Sequence, residues 1–103
     1  MRIGATSTTD EVLRELGARL RAFRLQQNQT IVELARQAGI GSRTLGRAEA
    51  GENSSLETLV RILRALGRLD AVDSFLPEPL ASPLQLAAAR GRVRRNASAP
   101  RTK

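Results

Sequence analysis

The sequence predicts an all-α fold of five helices followed by a short C-terminal helix and a basic tail, and three observations carry that prediction. Apolar residues recur at spacings of three and four rather than in strand-like alternation. Thr8 with Glu11, Thr30 with Glu33 and Ser54 with Glu57 have the spacing of a capping box ahead of each main apolar run. Gly39 and Gly67 stand where such runs stop, at the position that favours a left-handed backbone.

Taken in order, residues 1–8 are expected to be disordered. A first amphipathic helix follows over about residues 9–27, with Val12, Leu13, Leu16, Leu20, Phe23 and Leu25 as its inward stripe and Asn28 as its end. Thr30 opens a second helix whose Leu34, Ala35 and Ala38 share one face, and Ile40 plugs the corner after Gly39. A third helix begins near Ser42, with Leu45 and Ala48 inward and Ser42, Arg43, Thr44 and Arg47 outward. Small residues at Ala35 and Gly39 let these two helices cross closely at the wide angle of a helix-turn-helix unit. After a polar loop over residues 51–55, a fourth helix over about residues 55–66 uses Leu56, Leu59, Val60, Ile62, Leu63 and Leu66. A short helix near residues 69–75 offers Leu69, Val72, Phe75 and Leu76, and it meets a second copy, closes the monomer core, or does both. The domain is therefore expected over residues 9–76. Residues 77–103 form a proline-containing linker, a short helix over about residues 83–90 begun by Ser82-Pro83, and a basic tail.

Composition narrows the function classes. The 103 residues contain no cysteine and no histidine, which removes disulfides, the usual zinc ligands and the usual general base. An enzyme is not expected, nor is a metal or other cofactor. Phe23 and Phe75 are the two aromatics, so the core rests on Leu, Ile, Val and Ala and would gain from burial in a dimer. No apolar run approaches a membrane span and no signal-peptide pattern opens the chain, so the cytoplasm is the expected compartment. The net charge of +7 is unevenly placed: residues 1–89 hold 11 arginines against 10 acids, whereas residues 90–103 hold six basic residues and no acid. Arg90, Arg92, Arg94 and Arg95 thus form an arm suited to DNA phosphate or an acidic protein groove, or serve only as a solubilising tail.

Glu33-Leu34-Ala35, Ala38-Gly39-Ile40, Thr44-Leu45 and Glu49-Ala50-Gly51 resemble, at matching spacings, the Cro/cI-type (XRE) family of lambda-repressor-like DNA-binding domains. The resemblance spans about residues 10–76. It implies that the third helix lies in the major groove of an operator. Arg43 and Arg47 would then reach guanine edges, where two hydrogen bonds discriminate by roughly 1–3 kcal/mol. Ser42 and Thr44 would reach phosphate or base edges. Asn53 and Ser54, before a helix N-terminus, would clamp a phosphate, with Arg36 as a secondary contact. It also implies that Arg24 and Glu49 form a structural ion pair that orients the third helix.

Four positions depart from the family pattern. Ile31 replaces a phosphate-anchoring glutamine, Gly41 replaces a capping hydroxyl, Gly46 sits in mid-helix and Ala48 replaces a larger apolar residue. They imply a looser reading helix with fewer phosphate anchors. Leu76-Pro77-Glu78-Pro79, Ser82-Pro83-Leu84-Gln85-Leu86 and Arg90-Gly91-Arg92 further resemble HipB-like antitoxins, which bind an operator as dimers and hold HipA-like kinase toxins. Three readings stay open on the sequence: an autorepressor that is also an antitoxin, a stand-alone or phage-type repressor, and a protein-interaction module with degenerate DNA binding.

Overall fold

The computed structural model describes residues 2–80 and residue 84. The helix expected over residues 83–90 (Leu84 apart) and the tail residues Arg90, Arg92, Arg94 and Arg95 lie outside the described residues. Among the described residues five helices follow in chain order: α1 Thr9–Gln26, α2 Ile31–Ala38, α3 Ser42–Glu49, α4 Leu56–Ala65 and α5 Ala71–Phe75. Ahead of α1, the chain turns through residues 4–7, where Ser7 N–H donates to the Gly4 carbonyl at 3.0 Å.

Local chemistry explains where the first two helices begin. Thr8 Oγ1 accepts from the Glu11 backbone N–H at 3.1 Å, and Glu11 Oε1 accepts in return from Thr8 N–H at 2.9 Å. Thr30 and Glu33 repeat the exchange at 3.1 and 2.8 Å. Each box satisfies two donors that a helix N-terminus otherwise leaves to water. α1 ends at Gln27, after which Asn28 adopts a positive φ of 56°; α2 ends at Gly39, whose φ is 72°. Ile40 N–H then donates to the Ala35 carbonyl at 3.0 Å, turning the chain toward α3.

The core is built by α1, α2, α3 and α4 together. Leu20, Leu34, Ala35, Leu45, Ala48, Ile62 and Leu66 are buried in one cluster, with Phe23, Ile31, Ile40, Leu59 and Leu63 packed around it. α3 lies against both α1 and α2, and α4 lies against α2. Arg68 places its guanidinium 3.9 Å from the centroid of the Phe23 ring, and Gln27 Nε2 donates to the Leu66 carbonyl at 2.8 Å. These two contacts tie the end of α4 to α1.

Several expectations are corrected. Leu16 and Leu25 of α1 are exposed, because the face turned to the core runs through Gly17, Leu20 and Arg24. α4 is capped by Ser55, not Ser54: Ser55 Oγ accepts from Thr58 N–H at 3.0 Å. Glu57 is therefore not a capping-box partner; it bonds Arg61 one turn on. With the cap shifted by one residue, Leu56 falls at the first helical position and is 81% exposed rather than inward. α5 has no buried residue, and Val72, Phe75 and Leu76 are all exposed. Closing the monomer core is thus not its main role.

Candidate nucleic-acid interface

α3 presents one buried side and one open side. Leu45 is fully buried and Ala48 nearly so, while Ser42, Arg43, Thr44 and Arg47 are exposed, as their spacing predicts. Among the described residues Arg43 makes no ion pair, so its guanidinium is free for an external acceptor. Gly41 occupies the N-cap with extended backbone and no side-chain cap, so the first-turn N–H groups of α3 have no side-chain acceptor from that residue. Arg36 is exposed on α2, and Asn53 and Ser54 are exposed in the loop between α3 and α4.

What orients α3 is a buried fork. Arg24 Nε donates to Glu49 Oε2 at 2.7 Å and Nη2 donates to Glu49 Oε1 at 2.9 Å, while Nη1 donates to the Gln29 carbonyl at 2.8 Å. The two side chains are 8% and 5% exposed, so the pair is shielded from water and salt. The hydrogen bonds to Glu49 raise the Arg24 pKa above its ordinary value, against the opposing effect of burial, and Arg24 stays charged. Gln29 extends the connection: its Nε2 donates to Gln37 Oε1 at 3.0 Å, although its own Oε1 is buried without a hydrogen-bond partner. The end of α3 is thereby linked through α1 to the far end of α2.

Three further residues of this region escape a reading by apolar pattern. Gly17 is buried against the last turn of α3, where a Cβ would stand 2.5 Å from the Glu49 carbonyl oxygen and 2.6 Å from that of Ala48. Only a residue without a side chain fits there. Gly51 has a φ of 83° and meets the α1 backbone at Arg14, where a Cβ would lie 2.7 Å from Cα. Glu52 sets its Oε1 3.7 Å from Arg47 Nε. A usable signal did exist for Gly17, which falls at helical spacing with Leu20 and Arg24; glycine simply adds nothing to a hydrophobic count.

The arrangement offers a row of donors on a helix tied by the Arg24–Glu49 fork, with exposed hydroxyl and amide groups in the adjoining loop. No helix among the described residues is long and apolar enough to cross a membrane. A family described as a helix-turn-helix domain matches residues 15–74, which runs from the second turn of α1 through most of α5. No curated protein matches the chain. With the match covering more than half its length, and with α2, turn and α3 formed as that motif requires, the chain belongs to the helix-turn-helix family, as a non-catalytic DNA-binding domain of the XRE type.

Proposed function

We propose that the protein is a transcriptional repressor that reads a palindromic operator as a homodimer, with α3 of each copy in the major groove. One observation carries the reading: Ser42, Arg43, Thr44 and Arg47 form an open row on a helix whose other side is fixed by the Arg24–Glu49 fork. A fixed helix presents its side chains in one register, which sequence discrimination demands. Arg43 and Arg47 bond guanine edges, Ser42 and Thr44 bond base edges or phosphate, and Asn53, Ser54 and Arg36 hold the backbone. The second copy docks on α5, where Val72, Phe75 and Leu76 leave an apolar face open beside the partly buried Leu69. Two half-sites one helical turn apart follow from that two-fold.

The finer reading is an autorepressor that also serves as the antitoxin of a HipBA-like pair, acting in the cytoplasm. Its support is the resemblance of residues 76–92 to HipB-like tails, together with the exposure of Leu76, Leu80 and Leu84 along that stretch. Residues 77–103 would contact the kinase toxin, or the basic arm would add phosphate affinity.

A single binding assay tests these points. The wild-type chain is used to select duplexes from a random library, and Arg43→Ala and Arg47→Ala are then measured on the selected duplex and on a scrambled one. Each variant is expected to lose about tenfold or more on the selected duplex and less on the scrambled one. Equal affinities for wild type and both variants would sink the groove reading. A chain ending at residue 80 with an unchanged salt slope shows that the arm does not hold DNA. Loss of growth protection by that same chain, co-expressed with a HipA-like kinase, supports the antitoxin role.

A further inference from the structure

We infer that Glu52 is a specificity-determining residue: it holds Arg47 in the free protein and withholds that arginine from DNA phosphate, so that only a favourable base edge releases it. The inference rests on α3 being the groove-reading helix.

The Arg47–Glu52 pair is built unlike the Arg24–Glu49 pair. Its 3.7 Å separation makes no hydrogen bond, and the two side chains are 56% and 61% exposed. A pair this open adds little to folding and exchanges partners easily. Yet the Glu52 backbone is held close to Arg47. Gly51 N–H donates to the Ala48 carbonyl at 3.1 Å, and Glu52 N–H donates to the Arg47 carbonyl itself at 3.0 Å. The left-handed Gly51 makes that return possible.

Charge placement sharpens the point. Over residues 42–55 the acids are Glu49, which is buried in the Arg24 fork, and Glu52. Glu52 is thus the one carboxylate facing solvent on the segment that carries the whole reading row. Arg43, four residues before Arg47, has no ion-pair partner among the described residues. The two reading arginines are therefore unequal: Arg43 meets any phosphate unopposed, whereas Arg47 has a carboxylate 3.7 Å away.

Phosphate is present at every position of every duplex, so an unopposed arginine raises affinity for all sequences alike. A carboxylate partner competes with phosphate on near-equal terms, as one anion against another. It also repels an approaching phosphate, whereas the uncharged guanine edge, whose O6 and N7 accept two hydrogen bonds in the plane of the guanidinium, meets no such repulsion. Weakening the wrong complex more than the right one is a source of specificity.

The test uses the full chain carrying Glu52→Gln, alone and combined with Arg47→Ala, on the selected duplex and a scrambled duplex of equal length. Glu52→Gln is expected to tighten binding to the scrambled duplex roughly fivefold, the factor one contact charge pair carries in water. Its plot of log affinity against log salt should steepen by about 0.9, as one more phosphate contact requires. The selected duplex should gain less, so the ratio between the two falls. In the Arg47→Ala background Glu52→Gln should change nothing. Unchanged scrambled-duplex binding overturns the inference, and so does an equal gain in the Arg47→Ala background, which would make Glu52 a diffuse charge only. If Arg47→Ala alone leaves the selected-to-scrambled ratio intact, the groove reading itself fails, whatever Glu52→Gln does.

Discussion

Arg24 and Glu49 each depend on the other, because both charges are out of water and neither has a second ionic partner among the described residues. Removing one partner leaves a buried charge uncompensated, a loss of about 3–5 kcal/mol. Against a typical domain stability of about 5–15 kcal/mol, that unfolds much of the population. Arg24→Ala and Glu49→Ala are therefore each expected to lower the urea midpoint sharply. Arg24→Met combined with Glu49→Leu should recover most of the stability yet bind DNA poorly, since the apolar pair packs without fixing the angle of α3. Equal recovery of binding would show that the fork orients nothing. The raised Arg24 pKa sets the pH behaviour: its contribution is complete below the ordinary arginine value and is lost only as pH climbs through the higher folded value. Stability curves should then show no arginine step between neutrality and about pH 11. Residues with strong pattern signals were legible at this scale, Thr30 and Glu33 among them. Glu57 stands three residues after Ser54, the spacing of a capping box, yet Glu57 serves Arg61. Spacing alone cannot tell a capping carboxylate from one engaged a turn further on.

Two mid-helix glycines look alike in sequence and behave oppositely in place. Around Gly46 of α3 a Cβ would meet nothing within 4 Å, whereas at Gly17 of α1 it would strike the backbone of α3. Gly46→Ala should therefore stabilise the domain by about 1 kcal/mol through helix propensity, raising Tm by about 4–8 °C. Gly17→Ala should destabilise it by about 1–3 kcal/mol or push α3 off its seat, with operator affinity falling further than stability alone explains. Thermal melts followed by circular dichroism, paired with binding assays, check both; a neutral Gly17→Ala would remove its role in seating α3. Helix extents were well announced by caps and stops, as α2 between Thr30 and Gly39 illustrates. The rotation of α1 was not. A hydrophobicity scan moves the stripe toward Leu16, because it gives no weight to a glycine and subtracts for an arginine, and those are two of the three buried residues of α1.

At the scale of the whole molecule, the charge partition separates two kinds of DNA affinity. The region up to residue 89 carries a net +1, so its attraction to a polyanion rests on where a few arginines stand rather than on bulk charge. The match over residues 15–74 and the five helices agree with the outline drawn from the capping boxes and glycine stops. What no apolar pattern announces is how helices touch backbone to backbone, as α1 meets the α3 end at Gly17 and its following turn at Gly51.

α5 has one more consequence. Five residues long, uncapped at Asp70 and without a buried side chain, it cannot hold its own hydrogen bonds against water. In an isolated copy the amide protons of residues 72–76 should exchange with solvent deuterium almost as fast as in an unfolded peptide, while those of the core helices stay protected. If a second copy covers Phe75 and Leu76, that exchange must slow as protein concentration rises, and Phe75→Glu must abolish the slowing while leaving α2 and α4 protected. Exchange at residues 72–76 that is indifferent to concentration would argue against self-association there. Were copies to pair there, α5 would act as a gauge, its amide clock reporting the paired fraction.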